Sequence, residues 1–76
     1  GNPSAVKAFA AVIRACRMDR GWSQEELAFQ AGIHRNYVSG IERGSRNPSL
    51  TTIVALANAL GLAPSALIAR MEKRVR

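Results

Sequence analysis

One cysteine, Cys16, stands among 76 residues, so no disulfide can close within the chain. No group of His, Cys, Asp and Glu has metal-ligand spacing, and neither a metal nor any other cofactor is expected. Acidic residues are scarce. Five Asp and Glu face eleven Lys and Arg, for a formal charge of +6, which points to a polyanionic partner. Charge is missing altogether between Asn47 and Ala69. The apolar stretch there, from Ile53 to Ala69, is broken by Asn58, Gly61, Pro64 and Ser65, too short and interrupted to span a bilayer. No signal-peptide pattern opens the chain, and a cytoplasmic location is the expectation. There is no nucleophile–base set, no paired carboxylates in an evident cleft and no phosphate-cradling glycine loop, which argues against an enzyme. Strand patterns, internal repeats and low-complexity linkers are also lacking.

What remains is a single domain whose core must come from Leu, Ile, Val and Ala. A chain this short buries only about 60% of its unfolded surface, so self-association would add useful stability. Residues 1–4 read as a cleavage remnant or flexible N-terminus, since Gly1 stands where Met is usual; 5–71 read as the domain and 72–76 as a basic tail. The basic C-terminal run, Arg70, Lys73, Arg74 and Arg76, reads equally as a solvated face.

The spacing predicts five helices and an all-α bundle. Ser4 is a candidate cap for the first, with Val6, Phe9, Ala10, Ile13 and Cys16 or Arg17 on one face and Gly21 as its stop. Ser23 and Glu26 form a capping-box pattern for the second, at about 24–31, with Trp22 before the cap as a staple. Leu27, Ala28 and Ala31 point inward, Gly32 supplies a left-handed turn, and Ile33 plugs it. A third helix resumes at about His34 and runs to 42, with Val38 and Ile41 inward. Ser49 can cap a fourth at about 50–60, its inward positions reading as Leu50, Ile53, Val54, Ala57 and Leu60. Pro64 suits the first turn of a fifth, which carries Leu67, Ile68, Met71 and Val75.

The second and third helices carry the chemistry. Arg35, Asn36, Ser39 and Gly40 form an outward stripe of donors and small residues on a helix held at a fixed angle by a tight turn. That geometry can lay a helix in the major groove of DNA. Ser23-Gln24-Glu25-Glu26-Leu27-Ala28, Ala31-Gly32-Ile33, Ile41-Glu42-Arg43-Gly44 and Arg46-Asn47-Pro48-Ser49 together resemble the lambda-repressor-like Xre/Cro helix-turn-helix family of bacterial and phage regulators. The resemblance covers about residues 6–70, and the run from Arg35 to Asn47 is similar to controller proteins of restriction–modification systems. It implies a compact five-helix bundle with the motif at about 24–42. It also implies that Gln24 binds a phosphate at the positive end of its helix, and that Arg17 pairs with Glu42 across the core. Glu42 would otherwise repel a phosphate backbone, which agrees with a paired role.

Arg35 can donate two hydrogen bonds to a guanine or grip a phosphate, and both readings stay open. Asn36 suits adenine or a water-bridged phosphate, and Ser39 suits a base edge or leaves room for a neighbour. Gly40 costs about 1 kcal/mol relative to Ala inside a helix, a cost that close approach to DNA or packing against another helix would explain. His34, Tyr37, Arg43, Arg46 and Asn47 are candidate phosphate ligands. Tyr37 can instead pack with its hydroxyl in solvent, Asn47 can organise the turn before Pro48, and His34 can start its helix. Leu67, Ile68 and Met71 are candidates for a dimer seam; packing onto the first helix is the alternative.

These readings converge on a sequence-specific transcriptional regulator. It would bind double-stranded DNA as a homodimer on a pseudo-palindrome, with half-sites about one helical turn apart. No small-molecule effector is expected, because no second domain is present to hold one. The competing classes are a protein-interaction module of the antitoxin or bridging-factor kind, and a sequence-blind nucleic-acid binder with steep salt dependence. The arginines around the third helix weigh against the first.

Overall fold

The computed structural model describes residues 3–75. It is a bundle of α1 (Pro3–Asp19), α2 (Gln24–Ala31), α3 (Arg35–Glu42), α4 (Leu50–Ala59) and α5 (Pro64–Val75), with no strand among the described residues. The apolar stripe of α1 supplies Phe9, Val12, Ile13 and Cys16 to one core, which Leu27, Val38, Ile41, Leu56, Leu60 and Leu67 complete from the other four elements.

Three polar caps set where helices begin. The Ser23 hydroxyl accepts from the Glu26 backbone N–H at 3.0 Å, and the Ser49 hydroxyl accepts from that of Thr52 at 3.3 Å. Ahead of α3 the cap is His34, whose Nδ1 accepts from the Asn36 N–H at 3.2 Å. Gly32 closes α2 at φ 69°, a left-handed conformation unfavourable for residues with a Cβ, and the Ile33 N–H then reaches back to the Ala28 carbonyl at 3.0 Å. Ile33 and Trp22 both pack against the core, one on each side of α2.

Several expectations shift. Helix α1 begins at Pro3, the residue type suited to a first helical position, so Ser4 lies inside the helix rather than capping it. Residues 72–75, assigned to a tail, continue α5, where Lys73 and Arg74 face the negative end of the helix dipole; Arg76 lies outside the described residues. Helix α4 keeps Ile53, Ala57 and Leu60 toward the core as expected, but not Leu50 or Val54. Leu50 is 76% exposed and Val54 37%, while Leu56 is fully buried and Thr52 is buried with its hydroxyl 2.9 Å from that of Ser49. Among the described residues no single helix is long and apolar enough to cross a membrane; α4 and α5 together have the composition but are bent by 104°.

Candidate nucleic-acid interface

The centre of the site is an ion pair. Arg17 Nε donates to Glu42 Oε2 at 2.7 Å and Nη2 donates to Oε1 at 2.9 Å, a two-pronged contact that joins α1 to the end of α3. A third donor, Gln24 Nε2, reaches Oε1 at 3.0 Å, and Arg17 Nη1 donates to the Trp22 carbonyl at 2.8 Å. The start of α2, the end of α3 and the last turn of α1 are thus tied at one carboxylate. Hydrogen bonding to Glu42 raises the Arg17 pKa further above its ordinary value. Gln24 spends one amide hydrogen on Glu42 and keeps the second for an outside acceptor.

Beyond this knot α3 shows its first turn to solvent. Arg35 and Asn36 are exposed, and Arg35 has no hydrogen-bond or ion-pair partner among the described residues. His34, also exposed, uses Nδ1 as an acceptor, which in the neutral ring leaves a hydrogen on Nε2 as an outward donor. Ser39 is half-buried and its hydroxyl is hydrogen-bonded by Arg43 Nη1, so it steadies Arg43 one turn along.

Gly40 has a role that neither sequence explanation contains. It is buried, and a Cβ there would lie 2.6 Å from Arg46 Cγ. The missing side chain seats the stem of Arg46, whose guanidinium lies 5.9 Å from the centre of the Tyr37 ring. Gly40→Ala should therefore displace Arg46. The helix-propensity gain of about 1 kcal/mol opposes an overpacking cost of about 1–3 kcal/mol, so stability should fall by no more than about 2 kcal/mol. If Arg46 holds a phosphate, affinity for matched and scrambled duplexes should fall together, by about tenfold, in a fluorescence-anisotropy titration.

Tyr37 is half-buried. Its phenol lies among groups at the start of α4, and hydrogen bonding with the Thr52 hydroxyl is the main reason its pKa falls below the ordinary value, with Ser49 and Arg46 adding smaller effects. The phenol thus sits near Thr52 and Ser49 at the start of α4, with the Arg46 guanidinium beside its ring. Arg43, Arg46 and Asn47 are exposed on or beside that loop. Ser49 and Thr52, which lie near the Tyr37 phenol, carry no signal in the sequence beyond the capping serine.

The expected dimer seam divides. Leu67 is fully buried in the core of the protomer and is unavailable to a partner. Met71 packs partly onto the same core, and Ile68 is 37% exposed. Among the described residues, no three His, Cys, Asp or Glu side chains come together where they could hold a metal.

The helix-turn-helix family profile matches residues 13–67 of this chain. A Neisseria meningitidis protein described as a hypothetical transcription factor is 44% identical over 64 residues, covering 84% of this chain, and the chain spans 60% of that relative's length. The restriction–modification controller protein C.AhdI from Aeromonas hydrophila is 47% identical and superposes with a TM-score of 0.79, over 82% of this chain and 94% of its own. The controller protein C.Esp1396I, solved as a tetramer in complex with its natural 35-base-pair operator, superposes with a TM-score of 0.85 at 28% identity, over 93% of each chain. With its two-helix motif tied together at Glu42 and these matches across most of its length, the chain belongs to the lambda-repressor-like helix-turn-helix family of transcriptional regulators, alongside restriction–modification controller proteins.

Proposed function

We propose that this chain is a sequence-specific DNA-binding transcriptional regulator that acts as a homodimer on a pseudo-palindromic operator, in the manner of a restriction–modification controller. The observation that carries it is the exposed first turn of α3, with Arg35 unpaired and Asn36 beside it, on a helix whose angle is fixed by the Arg17–Glu42–Gln24 knot. Arg35 and Asn36 would choose bases, with Ser39 acting through Arg43. Gln24, the His34 Nε2–H, Arg43, Arg46 and Asn47 would hold phosphates, with the Tyr37 ring beside Arg46. No enzymatic role is proposed, and a DNA-binding role would put the protein in the cytoplasm.

The dimer face moves from Leu67 to the surface of α4 and α5. Leu50 and Val54 are uncovered one turn apart on α4, while Ile53 and Ile68 line one shallow apolar depression with Met71. This face lies in the stretch without charged residues, so two copies at +6 can meet there with least repulsion. Leu50→Asp should leave the fold intact, shift sedimentation toward monomer, and weaken operator binding by about tenfold or more, because the second half-site then binds independently.

Selection from a random duplex pool at about 0.15 M salt tests the function. A two-fold-related site with half-sites about 10 base pairs apart supports it. Recovery of no sequence above background overturns it and favours a protein partner.

A further inference from the structure

We infer that a groove between α1 and the end of α3 is a second phosphate track, gripping the DNA backbone outside the contacts made by α3 and its loop. The inference rests on the DNA-binding function proposed above. The groove holds about 300 Å³ and is lined by Lys7, Ala10, Ala11 and Arg14 from α1 with Glu42, Arg43 and Gly44. At about 30 Å³ per water, that is room for a solvated phosphodiester group.

Its chemistry suits such a group. Lys7 and Arg14 stand two turns apart on one face of α1, about 10.5 Å along the axis, comparable to three nucleotide steps of about 3.4 Å. Both are exposed, and neither has an acidic partner among the described residues, where the one ion pair is Arg17–Glu42. Arg43 gives one donor to Ser39 and retains others. The carboxylate at the groove's edge, Glu42, is already met by three hydrogen bonds from Arg17 and Gln24, so its charge is compensated where a phosphate would come close. Between the cations lie only the methyl groups of Ala10 and Ala11, which leave the approach open.

Position favours DNA over an acidic protein. The Lys7 stem lies against Gly44, a Cβ there meeting Lys7 Cγ at 3.6 Å, and Gly44 opens the loop that carries Arg46 and Asn47. Arg43 borders both the groove and the loop. A backbone strand held at the loop can therefore continue onto α1 without leaving positive surface. Lys7 and Arg14 lack any signature in the sequence because they fall outside the helix-turn-helix. Only the packing of α1 across α3 brings them beside it.

The test uses the full chain carrying Lys7→Ala and Arg14→Ala together, titrated by fluorescence anisotropy against the selected duplex with long and with trimmed flanks, over a salt series. Binding at about 0.15 M salt should weaken by about tenfold or more per protomer, and the slope of log affinity against log salt should fall by about two per protomer. Base preference should be unchanged, and the loss should shrink on the trimmed duplex. The charge-keeping exchange of Lys7→Arg with Arg14→Lys should restore the slope, which a general loss of fold would not allow. An unchanged slope, with Arg35→Ala still erasing discrimination at one position of each half-site, overturns the groove and leaves the proposed function standing. If the unaltered chain binds no duplex above background, both fall together.

Discussion

Glu42→Ala should bring this domain close to unfolding. The Glu42 side chain is 3% exposed and that of Arg17 13%, so neither charge is bathed in water that could replace its partner. Removing the carboxylate strands Arg17 Nε and Nη2 and releases Gln24 Nε2, three donors satisfied at one residue. Breaking a buried pair by deleting one member costs about 3–5 kcal/mol. Domains in general hold about 5–15 kcal/mol, and one this short sits toward the lower end. Urea titration followed by far-UV circular dichroism should show the midpoint falling by half or more. Arg17→Met combined with Glu42→Leu should recover much of the loss, because apolar side chains of similar volume carry no unpaired charge. A loss below about 1 kcal/mol for Glu42→Ala would class the pair with exposed salt bridges and remove it as the support of α3.

The helix boundaries around the motif were legible because local chemistry sets them. Ser23 and Ser49 can each satisfy a backbone N–H that the helix leaves open, and Gly32 can take a conformation that other residues avoid. None of this needs a distant partner, so the residue types suffice. The edge of the buried face of α4 was not legible for the opposite reason. In the run from Leu50 to Leu60 apolar residues fall on nearly every side, and periodicity that places Ile53, Ala57 and Leu60 inward cannot choose between Leu50 with Val54 and Thr52 with Leu56 as their neighbours. Packing against α2 and α5 makes the choice, burying Leu56 and leaving Leu50 in solvent. The placement of Leu67 failed likewise, since an apolar residue on the last helix has the same signature facing a core or a partner.

The site was legible in its residue types more than in its wiring. Arg35 and Asn36 are where the stripe puts them, because exposed helix positions answer only to their own helix. Gly40 shows the limit. A glycine inside a helix signals that something comes close, yet the visitor is Arg46, six residues on, brought back by the turn at Gly44. Tyr37 is similar: Ser49 and Thr52 come near its phenol only after that loop has folded.

Arg35→Ala should abolish base discrimination at one position of each half-site while leaving the fold and the salt slope nearly unchanged. Arg35 is the first residue of α3, exposed, and unlike Arg17, Arg43 and Arg46 it is not held by the protein. A planar fork left without an internal partner keeps all five donors for a ligand, and guanine O6 with N7 can take two of them at once. Each such contact is worth about 1–3 kcal/mol of discrimination, so two half-sites lose about 2–6 kcal/mol, about thirtyfold at the least. The measurement is a set of anisotropy titrations of the selected operator and its single-base variants, with the unaltered chain and with Arg35→Ala. Discrimination should vanish at one symmetric pair of positions and persist elsewhere, because Asn36 reads independently. A uniform loss across every duplex, with the salt slope falling by about one per protomer, would make Arg35 a phosphate ligand and leave base choice to Asn36. The two results separate cleanly because a phosphate contact releases a counterion whatever the sequence, whereas a guanine contact is lost only where guanine stood.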